Sequence, residues 1–437
     1  MDRSRPEGVN RRDLLLGLSG TTLGAFVAAG PAQAALPTVS DAPRAVAAQA
    51  DAVPFYGAHQ AGVTTPRPAA GLVASFASVL TTPNDFEAML RLLTERARFL
   101  TQGGPVPVRA PNLPPADSGL LGPEVEPDGL TVTVGLGASL FEKYSWLAGL
   151  APARLERMTQ FRNDALDAAR CHGDLSIQLC ANVQDTNIHA LRDIVKSLAS
   201  YLVLDWLQEG SMPPVAPDAS GHTPSARNFL GFRDGSANPD SNDDSAMDRI
   251  VWAGGADEPD WAQGGTYQVV RIIRNFVERW DRTPLGEQER IFGRRKTSGA
   301  PLDAPPTAGE RQVPDYTRDP DGAVTPHDAH IRLANPRTVA SRANLMLRRP
   351  FNYSNGVTRA GQLDQGLLFI CYQADLQAGF ITVQRRLEGE PLEEYIKPVG
   401  GGYFFVLPGV AGPDDYLGSA LVRAVRAKPR IAAQEKD

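Results

Sequence analysis

The stretch Gly231-Phe232-Arg233-Asp234-Gly235-Ser236-Ala237-Asn238-Pro239 sets one carboxylate in a glycine-flanked turn. There the backbone, not a helix face, presents the side chain. Further along come His330-Ile331-Arg332-Leu333-Ala334-Asn335-Pro336-Arg337 and then Arg348. An acid/base carboxylate, a lone ligand-type histidine and an arginine are the groups needed to hold a haem iron and split a peroxide on it.

Each residue also has a plainer reading. Asp234 alone could cap its own turn, which Asn238-Pro239 closes with a fixed bend. Over an open coordination site, the same carboxylate would move a proton between the two peroxide oxygens. The histidines are His59, His172, His189, His222, His327 and His330, and none is paired at metalloprotease or zinc spacing. No Cys-x-x-Cys-His stands ready for covalent haem attachment. A lone histidine is commonly structural, yet a peroxidase haem needs only one protein ligand. His327 rivals His330, but it follows Pro326 in a polar loop and reads as exposed. Arg348 and Arg349 follow an apolar run. One of them turned inward would stabilise charge on the leaving oxygen, and an aspartate base implies activity favoured in acid.

The elements that position these groups fill a chain of 437 residues, long enough for two ordinary domains. The net charge of −6 argues against a nucleic-acid binder. Three cysteines, Cys171, Cys180 and Cys371, make neither a disulfide framework nor a zinc knuckle. Asn10-Arg11-Arg12 followed by an apolar run to Ala29 and Ala32-Gln33-Ala34 reads as a twin-arginine export signal over 1–34. The expected location is therefore periplasmic or otherwise extracytoplasmic, reached already folded. Residues 35–54 read as a flexible lead.

Strand-like patterns cover 71–78, 130–136, 175–180, 267–273, 367–372 and 402–407. Helical spacing covers 84–100, 186–202 with Asp185 as cap, 276–292 and 376–387. Each half runs strand, helix, strand, strand, helix, strand. This predicts an α+β protein of two ferredoxin-like domains, 55–222 and 225–425, with a tail at 426–437. The polar, Pro-rich loop 294–328 delivers His330.

These motifs, with Leu347-Arg348-Arg349-Pro350-Phe351-Asn352-Tyr353-Ser354, the segment 363–373 and the segment 395–405, resemble the dye-decolorizing peroxidase family. The likeness is strongest to its exported deferrochelatase/peroxidase branch and runs from about Phe55 to Val422. It implies a dimeric α/β-barrel type of fold with non-covalent haem b in the C-terminal domain. On this resemblance Asp234 matches the distal acid/base, His330 the iron ligand, and Arg348 rather than Arg349 the distal arginine. Gly235, Ser236 and Ala237 match one stretch against the haem, and Asn335, Pro336 and Arg337 a second. Asn238 matches the distal hydrogen-bond network, and Leu367 and Phe369 the apolar wall. Ser236 stands where many relatives carry Thr.

The implied substrates are hydrogen peroxide with small organic reductants, or haem itself with iron released and the porphyrin left intact. A homo-oligomer and an iron-uptake permease partner are expected, and no nucleic acid. Glu393 or Glu394 is a candidate partner for the outer nitrogen of His330, though either also reads as an exposed carboxylate at a helix end. Trp252, Trp261 and Trp280 are candidates for carrying electrons to bulky dyes, with core packing as the simpler role.

Overall fold

The structure is a computed structural model, and it describes residues 52–217 and 223–428. The export signal, nearly all of the lead, His222, part of the break between the halves and most of the tail lie outside the described residues.

Eight long strands close into one antiparallel barrel. The first half contributes β1 (Ala70–Ser78), β2 (Thr131–Gly137), β3 (Leu175–Ala181) and β4 (Leu202–Ser211). The second contributes β5 (Thr266–Asn275), β6 (Phe351–Val357), β7 (Leu363–Gln373) and β8 (Ile396–Val406). The order is β5-β8-β2-β3-β1-β4-β6-β7, with β7 pairing back to β5. Each half therefore carries the ferredoxin-like order, and the fourth strand of each half pairs with the second strand of the other. Closure removes the free edges that an open sheet would expose.

β1 is buried along nearly its whole length because both of its faces are covered. Leu72, Ala74 and Phe76 face the helices, while Val73 joins the opposite core with Val270, Ile370 and Phe404. Some polar groups on the inner side are paired: Tyr372 Oη donates to Gln178 Oε1 at 2.7 Å, and Ser176 Oγ lies 2.8 Å from Gln268 Oε1. Helix α1 (Pro83–Gln102) starts at a Thr82/Asp85 capping box with Pro83 in its first turn. Its apolar stripe, Phe86, Met89, Leu90, Leu93 and Ala97, packs on the sheet.

Three helix boundaries differ from the sequence reading. α2 spans Gln184–Ser197, so Asp185 sits inside the first turn and Val183 takes the cap position without a side-chain bond. The stretch 276–292 breaks into a turn at Val277–Trp280 and α3 (Leu285–Phe292), because Pro284 cannot continue a helix. The stretch 376–387 is a wide turn, Gln377–Ile381, interrupted at Gly379 and followed by the short α5 (Thr382–Arg386). All three cysteines are free. Among the described residues no helix is long and apolar enough to cross a membrane.

Candidate active site

His330 opens the five-residue helix α4 (His330–Ala334), at the exit of the long loop. One carboxylate braces the C-terminal end of the loop. Asp319 accepts from the backbone N–H of Ala323 and Thr325, at 2.8 Å each. Arg332 returns from α4 to the carbonyls of Thr325 (2.7 Å) and Asp319 (2.9 Å). The Thr325 N–H is the main cause of an Asp319 carboxyl held below the ordinary aspartate value. A carboxyl lowered by folding stabilises the protein above its unfolded pKa of about 4, and that stabilisation fades as pH falls through the folded value. Asp319→Asn is therefore expected to melt about 2 °C below the parent at pH 7. The gap should narrow once both proteins are melted below about pH 3, beneath the free carboxyl range; a gap that does not depend on pH would contradict this account.

Nδ1 of His330 lies 2.7 Å from Glu390 Oε2, and its Nε2 has no hydrogen bond among the described residues. The imidazole side chain is 31 % exposed, whereas the Glu390 side chain is 4 % exposed. Burial works against the charged ring, but the Glu390 carboxylate prevails and raises the His330 pKa. This corrects the expected partner. Glu393 instead accepts the Gly389 N–H at 3.0 Å, and the Glu394 carbonyl accepts from Arg279 at 2.9 Å. Glu390 precedes Pro391 and opens the turn Pro391–Glu394, so its side chain points back toward α4 rather than out with the turn. For the haem that the sequence reading expects, Glu390→Gln weakens retention about tenfold and raises the iron reduction potential, because a neutral partner leaves the imidazole a poorer donor. Spectroelectrochemistry of the reconstituted variant checks this. His327 is exposed, with its ring beside Gly322.

On the other side, Asp234 is fixed by its own turn. The Asn228 side-chain oxygen accepts the N–H groups of Leu230 (3.1 Å) and Phe232 (3.2 Å), and the Asp234 N–H donates to the Ala226 carbonyl at 2.9 Å. Gly235 has φ +147°, and a Cβ there would meet Ser225 Oγ at 2.7 Å, so the turn requires glycine. Phe232 stacks on Phe292 with ring centroids 4.0 Å apart, and Phe292 lies 5.9 Å from the His330 ring. One aromatic contact chain thus joins the aspartate turn to the histidine.

Arg348 Nη1 lies 3.4 Å from Asp234 Oδ1, an ion pair too long for a strong hydrogen bond. Asn238 holds the arginine backbone from both sides: its Nδ2 donates to the Arg348 carbonyl (3.0 Å) and its Oδ1 accepts the Arg348 N–H (2.8 Å). The charges of Asp234 and Arg348 both act on the His330 ring. Arg349 is not paired with Asp234; it donates to the carbonyls of Thr65 and, at 3.2 Å, Pro66. A cavity of about 220 Å³ opens beside Asp234, Asn238 and Arg348, with Arg67 and Arg349 also in its wall.

The strand that pairs with Arg348 through Cys371 has an unusual burial pattern. Leu368 and Ile370 of β7 are fully buried, while Leu367 and Phe369, on the alternate face, are only half-buried. Ile273, opposite Leu367 on β5, is half-buried too, as are Ile331 and Leu333 of α4. Half-buried apolar side chains, an imidazole with a free ring nitrogen and an acid–arginine pair are the groups that a flat apolar macrocycle with one protein ligand to its metal requires.

Ser236 Oγ donates to Glu310 Oε2 at 3.0 Å, and Ala237 is exposed on the same turn. Asn335 and Pro336 are half-buried after α4; Asn335 Oδ1 accepts the Arg337 N–H at 3.1 Å, and Arg337 is exposed with φ +60°. Trp261 and Trp280 are core residues whose indole N–H groups are bonded to the Leu150 and Leu230 carbonyls. Trp252 is half-buried, stacked on His59 at 3.6 Å. Sequence reasoning missed Glu390, Asn228 and Arg67. Asn228, three residues before the first glycine of the turn, carried the one readable signal, a turn-forming asparagine.

Comparisons with known proteins bear on this geometry. The family model described as "Dyp-type peroxidase, N-terminal" matches residues 60–211, and "Dyp-type peroxidase, C-terminal" matches residues 225–411. A deferrochelatase of Escherichia coli (strain UTI89) is 53 % identical over 424 residues, covering 95 % of this chain and 98 % of that protein. The deferrochelatase of Escherichia coli K12 is 55 % identical over 373 residues, 85 % of this chain and 87 % of that one. Among solved structures, a DyP-type peroxidase from Cellulomonas bogoriensis is similar at a TM-score of 0.75 and 34 % identity, covering 85 % of this chain and 98 % of that one. Ferric DtpA from Streptomyces lividans is similar at 0.75 and 34 %, covering 85 % and 97 %.

Proposed function

The chain belongs to the Dyp-type peroxidase family and is a haem peroxidase, and from that premise we propose that it holds haem b non-covalently between His330 and the Asp234–Arg348 pair. When bound, the haem supplies an iron that is oxidised by peroxide and reduced again by one-electron organic donors. His330 offers Nε2 to that iron while Glu390 fixes the ring through Nδ1. Asp234 takes a proton from one peroxide oxygen and delivers it to the other. Arg348 steadies the negative charge that builds as the oxygens part. Leu367 and Phe369 keep the distal wall dry, so these charges act at low dielectric.

The single observation that carries this reading is an imidazole held through Nδ1 by Glu390 with its Nε2 free, joined through Phe292 and Phe232 to the turn that carries the Asp234–Arg348 pair. The test is an absorption spectrum of the reconstituted protein before and after one equivalent of hydrogen peroxide, followed by dye turnover. Turnover no faster than free haem would leave only a haem carrier.

A second role is favoured by the relatives named as deferrochelatases. The same site would take haem as substrate and release its iron with the porphyrin intact. Free protoporphyrin accumulating from supplied haem supports that role, and its absence removes it. The paired arginines at Arg11-Arg12 support export by the twin-arginine route to an extracytoplasmic compartment. An iron-uptake permease partner and a homo-oligomeric state complete the proposal. Fractionation and solution mass measurement test them.

A further inference from the structure

The strap that leads into β1 builds one wall of the cavity beside Asp234, so both halves of the chain enclose that space. Residues 63–67 face Asp234, Asn238 and Arg348 across about 220 Å³. Gly62 sets the course of the strap: its φ is +94°, and a Cβ there would lie 2.1 Å from Thr133 Oγ1. The Gly62 N–H donates to Thr65 Oγ1 at 3.0 Å. Arg349, 5 % exposed, fastens the strap through the carbonyls of Thr65 and Pro66.

Arg67 ends the strap. Its Nη1 donates to the Pro350 carbonyl at 2.6 Å, and its guanidinium lies over the Phe351 ring at 5.7 Å. Among the described residues its Nε and Nη2 make no hydrogen bond, and it forms no ion pair. The cavity wall holds the guanidiniums of Arg67, Arg348 and Arg349, and a single carboxylate, that of Asp234. Arg348 already stands 3.4 Å from that carboxylate. Glu310 meets the wall at Ser225, but its oxygens accept the Ser225 N–H (2.7 Å) and the Ser236 hydroxyl (3.0 Å). Burial is the largest influence on Arg67 and lowers its pKa; the Asp234 charge opposes this, and Arg349 and Arg348 add to the lowering. A guanidinium still stays charged at working pH. One carboxylate cannot neutralise three cations in a half-enclosed space, and a field of one sign there draws in a counter-ion.

We infer that the guanidiniums of Arg67 and Arg348 hold a small monoanion, of the size of nitrate, formate or a halide, which hydrogen peroxide must displace to reach Asp234. This rests on the peroxide reading of Asp234 above and gives Arg67, from the opposite half of the chain, a selecting role. The free Nε and Nη2 of Arg67 are the two parallel donors that fit a planar oxyanion. About 220 Å³ holds such an anion with a little water, but not a dye-sized molecule.

The experiment uses sodium nitrate, exchanged at constant ionic strength and neutral pH for a bulky buffer sulfonate that the cavity cannot admit. In stopped-flow mixing of the reconstituted full chain with hydrogen peroxide, nitrate is expected to slow the parent competitively. Arg67→Gln is expected to need about tenfold more nitrate for the same slowing, the loss of one charge-assisted contact. Arg67→Lys, which keeps the charge but not the fork, falls between them. Arg359→Gln, at an exposed position between β6 and β7, matches the parent. Melting of the haem-free full chain is the second readout, since a bound anion stabilises the folded state. Exchange of sulfonate for nitrate is expected to raise the parent about 2 °C more than Arg67→Gln. Nitrate that slows and stabilises both proteins alike overturns the inference, as does a parent that responds to nitrate no more than to sulfonate. A haem absorption band shifted by nitrate in both proteins would put the anion on the iron and overturn it too. A parent that binds no haem or ignores peroxide would sink the Asp234 reading instead, while the haem-free melting still decides for or against the anion.

Discussion

Asp234→Asn lowers the rate of reaction with hydrogen peroxide by about 10²–10⁴-fold, the usual range for loss of a positioned acid/base, and leaves haem uptake intact. The substitution keeps the size of the side chain and its place in the Asn228-braced turn. What it removes is the ability to accept a proton. Arg348 stands 3.4 Å away and cannot substitute, because a guanidinium does not deprotonate at working pH. Stopped-flow mixing of the reconstituted protein with peroxide is the measurement, since dye turnover can be limited by later electron transfer. The residual rate should depend little on pH, because the titrating base is gone. A variant that reacts as fast as the parent would remove Asp234 from the chemistry. Arg348→Leu should cost less, since it removes charge stabilisation while sparing the proton carrier.

Asp234 was legible because its turn is written in local residues: glycines at Gly231 and Gly235, then Asn238-Pro239. The strands were legible for the same reason, through alternating or continuous apolar runs such as 175–180 and 367–372. Helix ends were less so. Asp185 reads as a cap, but the helix begins at Gln184, two residues before the expected start, and α2 packs with Ala190 and Ile194 facing the core. Packing overrode the local cap signal. The break at Pro284 is readable from the proline itself, which cannot sit inside a helix of 276–292.

The partner of His330 was hidden for a different reason. Glu390 and His330 are brought together by a chain path through β6, β7 and α5, which no local pattern encodes. Glu393 and Glu394 were the visible carboxylates of that turn, yet the residue before Pro391 is the one that faces inward. Arg67 was hidden likewise: it reaches the cavity from the entry to β1, with Nη1 on the Pro350 carbonyl at 2.6 Å. Residues that act through their own turn can be read from sequence, and those that act across the barrel cannot.

His330→Ala is expected to lose haem almost completely on purification, while His327→Ala keeps it. The imidazole of His330 keeps Nε2 free of hydrogen bonds among the described residues, and the Glu390 carboxylate orients the ring through Nδ1. Alanine would leave Glu390, 4 % exposed, as a carboxylate without its partner. That burial is unfavourable in itself, so the variant alone could lose haem through local damage. Added imidazole separates the two causes. If the fold around residue 330 is intact, free imidazole should enter the vacated volume, meet Glu390 and restore the haem absorption band. Rescue by imidazole with no rescue by a non-ligating ring of similar size, such as pyrrole, would assign the loss to ligation. Haem retained by His330→Ala and lost by His327→Ala would move the iron ligand into the loop and separate it from the turn that carries Asp234.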